Sequence, residues 1–281
     1  MPEHPIHEEG VGPDSALTAA LEAAAADLAA IAGEQIRAAY GGDLGVQFKR
    51  PRSGGAHNSN PVSRVDREVE ALVRERLARD FPEHDIIGEE LPPTRGTSPY
   101  TWVIDPVDGT TNFINGLPLF ACSIGVLHRG HPVAGAIWSA ATHALRPGTY
   151  HASAGHSLYF DGQPLAARPT GPWRGLAAEP GTAPTYAALW DTRVLGCATV
   201  EFAFVAAGLL RIAYIPHPRI WDVAAGLSLL QAADCGARVR RARGWETMLY
   251  FPGSQAGFAQ WSEPLLIGSQ SQLARALADP E

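Results

Sequence analysis

Between residues 65 and 77, Val65, Val69, Leu72, Val73 and Leu77 recur at helical spacing, which predicts an amphipathic helix running to about Asp80. A longer helical run covers residues 15 to 40: alanine, its dominant residue, costs least in a helix, Asp14 is placed to cap it, and Gly41-Gly42 end it. HDIIGEE reads as a short strand ending in Glu89-Glu90, and TWVI as another. From Phe120 to Leu165 the pattern turns to β. ACSIGVLHRGHPVAGAIWSA is two apolar runs around His128-Arg129-Gly130, and Asp161-Gly162 marks a further turn, so an antiparallel meander is expected. ARPTGPWRG, at 167 to 175, has the Pro and Gly density of a linker. Beyond it strands and helices alternate: VLG, a helix from Thr199 to Leu210, RIAYI, then a helix from Trp221 to Ala233 stopped by Gly236.

The expected class is therefore α/β in two parts, with an α+β lobe over residues 15–168 and an α/β lobe over 169–281, behind a loose N-terminus at 1–14. The chain has 281 residues, 46% of them apolar, which is ample for a buried core. A formal charge of −7 with scattered basic residues offers no footprint for nucleic acid or an anionic membrane surface. Glu22 and Asp27 interrupt the apolar N-terminal run, and no basic segment leads it, so neither a signal peptide nor a span is expected. Cys122, Cys197 and Cys235 are odd in number and far apart, which suits a reducing cytoplasm better than a disulfide framework. FKRPRSGGAHNSNPVS, from Phe48 to Ser63, reads as a polar surface loop.

The chemistry concentrates in TWVIDPVDGTTNF, where Asp105 and Asp108 follow a buried-looking strand. Pro106 forbids regular continuation of that strand, and Gly109-Thr110-Thr111 can open a helix whose free N–H groups make a candidate phosphate cradle. Glu89 can share the same sheet edge, while Asp66 and Asp222 each sit in the first turn of a helix, where the helix dipole alone would account for them. If these carboxylates converge, two of them about 4 Å apart repel by about 4 kcal/mol at an effective dielectric of about 20. Such a cluster needs cations, and oxygen ligands without His or Cys suit Mg²⁺.

WVIDPVDGTTNF, with IGEE upstream and WDVAAG downstream, resembles the inositol monophosphatase family of Mg²⁺-dependent, usually lithium-sensitive phosphatases, over roughly residues 15 to 270. The resemblance implies an α-β-α-β-α layered sandwich, two or three Mg²⁺ per site, a small phosphorylated metabolite as substrate, and a homodimer. It also implies roles. Glu89, Asp105 and the carbonyl of Val107 would hold one metal, and Asp105, Asp108 and Asp222 a second. Thr110 and Asp66 would orient and deprotonate the attacking water. Gly109, Thr110 and Thr111 would cradle phosphate beside Asp108, with Gly196, Cys197 and Ala198 lining the substrate side.

One departure bears on the substrate. Ile215 stands seven residues before Asp222, where inositol phosphatases commonly carry a glutamate that contacts a ring hydroxyl. His217 and Arg219 place potential positive charge near the leaving-group side. Inositol phosphate or a related polyol phosphate, adenosine 3′,5′-bisphosphate, histidinol phosphate and fructose bisphosphate all stay open as substrates. So does a non-catalytic, anion-binding relative.

Overall fold

A computed structural model describes residues 14–48, 61–166, 174–180, 186–253 and 255–278. The N-terminal stretch 1–13 and most of the polar loop and of the linker lie outside the described residues. The described residues begin with α1 (Ser15–Ala39), the short antiparallel strands β1 (Gln47–Phe48) and β2 (Pro61–Val62), and α2 (Arg64–Asp80). Then come β3 (Asp85–Gly88), β4 (Tyr100–Asp108), the single-turn α3 (Thr110–Ile114), β5 (Ala121–His128), β6 (His131–Ser139), β7 (Gly148–Ser153), β8 (Tyr159–Phe160) and β9 (Gln163–Pro164). The second half holds β10 (Leu176–Ala178), β11 (Asp191–Arg193), α4 (Ala198–Ala206), β12 (Ile212–Ile215), α5 (Ile220–Ala232), β13 (Cys235–Arg241), β14 (Gly244–Thr247), α6 (Gln255–Phe258), β15 (Leu265–Ser269) and α7 (Gln270–Ala278).

Among the described residues, one sheet runs β3-β4-β5-β6-β7-β8-β9 and another β11-β10-β12-β15-β13-β14. The first is the expected meander, entered by a parallel β3–β4 pair. Its outer face is covered by α1 and α2, where Leu21, Leu28, Ile36, Val69 and Leu77 meet Trp102, Ile124 and Trp138. The inner face packs on α4 and α5, and the second sheet closes that layer through Ala213, Val239 and Ile267. Outside the second sheet, Leu273 and Ala276 of α7 pack with Trp190, Ile212 and Leu266. The layers are thus α-β-α-β-α, as expected.

Local chemistry explains the boundaries. Asp14 caps α1, its carboxylate accepting the Ala16 N–H at 3.0 Å. Although α1 is long and apolar enough to cross a membrane by length and composition, its apolar face lies on the sheet and its Glu22 is tied there, at 2.8 Å from His151 Nδ1 and bonded by Ser153 Oγ. Three boundaries differ from expectation. VLG is not a strand: pairing with β10 takes Asp191–Arg193 instead, and Gly196 turns the chain with φ 70°. α4 stops at Ala206, ahead of a turn in which Gly208 takes φ 76°. α5 is ended at Asp234, whose φ of 53° takes the left-handed turn expected of a glycine, and Gly236 lies within β13.

Two cross-strand partners, Gly125 of β5 and Gly135 of β6, set how closely α5 approaches the first sheet. A Cβ on either would stand 2.6 Å from backbone atoms of Ala225. With no side chains in the way, α5 lies directly on the strands, and Ser123 Oγ donates to the Trp221 carbonyl at 3.2 Å at its first turn. Ser123 is also the ladder partner of Asp105, so the start of α5 is fixed beside the end of β4.

Candidate metal centre

Successive side chains of a strand point to opposite faces, so Asp105 and Asp108, three apart, would ordinarily face away from each other. The ladder between β4 and β5 shifts register between those two residues, at Pro106-Val107. The parity change is visible in the packing. Val103 faces α4 and α5, whereas Val107 packs on the α2 side with Val65 and Phe113. Asp108 is thereby returned to the inner side, where its Oδ2 accepts the Thr199 N–H of α4 at 2.6 Å. Gly88 pairs with Ile104, which sets Glu89 level with Asp105 on the adjacent strand.

Asp105, Asp108 and Asp222 each bring one carboxylate oxygen to within 4.8 Å of the others. Burial, followed by Glu89, Asp108 and Asp222, pushes the Asp105 carboxyl well above the usual carboxylate range. Asp222 is raised by burial and then by Asp108, against the opposing pull of the Arg219 N–H, which donates to its Oδ2 at 2.7 Å. Asp105 is 1% exposed and its Oδ1 has no hydrogen-bond partner among the described residues. A buried carboxylate oxygen left unpaired among other carboxylates costs several kcal/mol of desolvation unless a cation sits against it. Crowded oxygen donors around that orphaned atom fit a hard divalent ion that keeps part of its water shell. Glu89 stands outside the closest trio but near enough to raise both Asp105 and Asp222.

Behind this cluster, Asp66 lies buried in the first turn of α2. Its Oδ2 accepts the Ser63 N–H at 2.9 Å and the Ser63 hydroxyl, and its Oδ1 lies 3.2 Å from Thr110 Oγ1. Thr110 Oγ1 is also 2.9 Å from the Val107 carbonyl. One hydroxyl proton therefore serves two acceptors. Gly109, with φ 80°, turns the chain into α3, and a Cβ there would stand 2.8 Å from the Leu119 carbonyl. The first N–H groups of α3, those of Thr110 and Thr111 among them, have no partner within the helix and are available to an anion.

Glu70 is a residue that sequence reasoning missed. It is fully buried on the sheet-facing side of α2, accepts from Arg74 Nε at 2.7 Å, and holds the N–H groups of Glu90 and Leu91 at 2.7 and 3.2 Å. Arg74 in turn donates to the Leu91 carbonyl. This pair fixes the backbone immediately after Glu89, and Gly88 lacks a side chain because a Cβ would meet the Glu70 carboxylate at 2.0 Å. A carboxylate on the apolar face of a helix, four residues before an arginine, was the available signal. Glu70→Ala is expected to destabilise the protein by about 3–5 kcal/mol in urea unfolding, since it strands Arg74 and two N–H groups. Wild-type stability in that variant would show the pair to be dispensable.

On the substrate side, Gly196, Cys197 and Ala198 line a cavity of about 210 Å³ with Glu179, Glu201 and Ile215. Asn112 of α3 ties this turn to the first half, its Nδ2 donating to the Leu119 and Leu195 carbonyls at 2.8 Å. Cys197 Sγ lies 3.2 Å from Asp108 Oδ2, and burial followed by Asp108 raises its thiol well above the ordinary value. Arg219 enters through its backbone, at the N-cap of α5, and does not line this cavity, while His217 is exposed.

Comparison with known proteins places the molecule in a class first. Over 204 residues, 64% of this chain and 68% of the relative, it is 35% identical to the inositol-1-monophosphatase SuhB of Mycobacterium tuberculosis. It is 31% identical to the chloroplastic phosphatase IMPL1 of Arabidopsis thaliana over 66% of this chain, a match that spans only 54% of that relative's length. The crystal structure of the extragenic suppressor protein suhB from Bartonella henselae superposes with a TM-score of 0.72 at 25% identity, covering 92% of this chain and 98% of that one. These likenesses define a phosphoric monoester hydrolase. More particularly, the inositol monophosphatase family model matches residues 18–272, and the chain belongs to that family.

Proposed function

We propose that the protein is a Mg²⁺-dependent phosphomonoesterase that hydrolyses a small phosphate ester by direct attack of water. The observation that carries this reading is the buried Asp105 carboxylate, its Oδ1 unpartnered and set among Asp108, Asp222 and Glu89. Glu89, Asp105 and the Val107 carbonyl would hold one ion and Asp105, Asp108 and Asp222 a second, in a site of two or three ions. Bound Mg²⁺ would acidify a water and offset the charge of the phosphate and of the leaving oxygen. A doubly charged phosphate would otherwise be repelled by this pocket.

The chain's own groups do the rest. With the Val107 carbonyl engaged as a metal ligand, Asp66 would be the acceptor for the Thr110 hydroxyl, whose oxygen would accept a hydrogen bond from the attacking water. Asp66, buried and raised in pKa by that burial, is the terminal proton acceptor. The N–H groups of Gly109, Thr110 and Thr111 orient phosphate, and Gly196, Cys197 and Ala198 receive the leaving group at the junction of the 15–168 and 169–281 lobes. Lithium inhibition, a homodimeric assembly and a cytoplasmic location belong to the same reading, the last supported by three free cysteines.

The test is phosphate release from inositol, sugar, nucleotide and amino-alcohol monoesters with Mg²⁺, with chelator and with added Li⁺. Turnover of at least one ester that stops in chelator is expected. Equal turnover in chelator would overturn the metal mechanism, and silence across the panel would favour a non-catalytic anion-binding protein.

A further inference from the structure

The cavity beside Asp108 carries information about the leaving group that the metal ligands do not. Its position is fixed by Cys197, which lines the cavity and also bonds to Asp108. On the phosphatase reading above, the group esterified to the phosphate would extend into it.

Its lining is unusual in one respect. Glu201 of α4 opens onto the cavity, is 8% exposed, and has no hydrogen-bond or ion-pair partner for its carboxylate among the described residues. Glu179, 3% exposed and held by the Tyr186 N–H at 3.4 Å, lines the same cavity. No Lys, Arg or His side chain lines it among the described residues. The remaining wall is largely apolar, with Ile215 and Pro216, and the ring of Tyr214 turns to the opposite face of β12 against Tyr186 and Trp245.

A polyol is poorly matched to such a wall. Each ring hydroxyl that entered would leave water without gaining a partner on the Ile215 and Pro216 side, at the cost of an unpaired polar group. A single cationic amine on an otherwise apolar body suits it: the ammonium satisfies the unpaired carboxylate, and the hydrocarbon covers the apolar wall. Burial, followed by Asp108, raises the Glu201 carboxyl well above the usual range, and an ammonium against it favours the ionised form.

We propose that Glu201 is a specificity-determining residue, and that the substrate is the phosphate monoester of an amino alcohol whose ammonium pairs with Glu201 in this cavity. The inference rests on the phosphatase reading above and goes beyond it in naming the leaving group. In the reaction, water supplies the fourth oxygen of inorganic phosphate. The ester P–O bond breaks with its electron pair going to the leaving oxygen, which takes up a proton, and the amino alcohol departs with its ammonium unchanged.

The test is a matched pair of esters, phenylalaninol phosphate and its deamino counterpart, which differ only in the amine, assayed beside histidinol phosphate and inositol phosphate. The wild type is expected to favour the amine-bearing member by about tenfold or more in kcat/KM, the effect lying mainly in KM, as for one hydrogen bond to a charged group. In Glu201→Gln the ratio between the two members should fall to about one, and in Glu201→Asp it should stay above one, which a purely structural role would not produce. A wild-type ratio near one, a ratio that survives Glu201→Gln, or turnover of inositol phosphate alone would overturn the assignment while leaving a phosphatase. No Mg²⁺-dependent turnover of any ester would remove both readings. Should neither variant fold, the wild-type ratio still decides the question.

Discussion

Asp105→Asn is expected to lower Mg²⁺-dependent phosphate release by at least about 10²- to 10³-fold, the scale seen when a group that stabilises transition-state charge is removed. Asp105 is the side chain common to both proposed ion positions, so no neighbour can substitute for it. The same change should have the opposite sign on the metal-free protein. The folded-state pKa of Asp105 is raised by burial and by three neighbouring carboxylates. A raised pKa contributes stability only below the ordinary carboxylate range, and that contribution is lost as pH rises through the folded value. At neutral pH, where the unfolded chain's carboxyl is ionised, folding the metal-free wild type therefore carries a cost, of a buried charge or of proton uptake, that the asparagine lacks. Thermal melts in chelator should show the variant more stable than wild type. Added Mg²⁺ should raise the Tm of wild type and leave that of the variant nearly unmoved. A variant less stable than wild type in chelator, or one that still responds to Mg²⁺, would mean that the carboxylates do not share a cation.

That opposition between stability and function marks the part of the molecule that was legible in the chain. Asp105, Asp108, Glu89 and Asp222 stand at the ends of apolar runs or in a helical first turn, positions where local rules tolerate a carboxylate but do not require four to meet. Their convergence follows from three features that sequence shows only weakly: the register shift at Pro106-Val107, the parallel pairing of β3 with β4, and the glycine pair that lets α5 down onto the sheet. The meander and the long helices were readable because their periods repeat. The strand at Asp191–Arg193 was not, since its partner β10 lies elsewhere in the chain and its own sequence is polar. The turn at Asp234 was misplaced because aspartate can take the left-handed conformation that a glycine two residues later suggested. Glu70 and Glu201 escaped for a shared reason: on a helix, a lone glutamate reads as solvent-facing, and only the tertiary packing buries it.

Asp66→Asn is expected to reduce kcat by about 10²- to 10⁴-fold, the contribution of a positioned base, while the response of Tm to Mg²⁺ is retained. The pH profile separates this role from a structural one. Burial raises the Asp66 carboxyl, and the hydrogen bonds from Ser63 and Thr110 pull it back. Because the base must be ionised to accept a proton, the acidic limb of kcat/KM should lie above the ordinary carboxylate value. Thr110→Val removes one of the donors that stabilise the charged form, so it should move that limb to still higher pH as well as slowing turnover. Asp66→Asn should abolish the limb. A limb that stays in place in both variants would assign the titration to another group, and undiminished kcat in Asp66→Asn would leave Asp66 as no more than the cap that its bond to the Ser63 N–H already makes it.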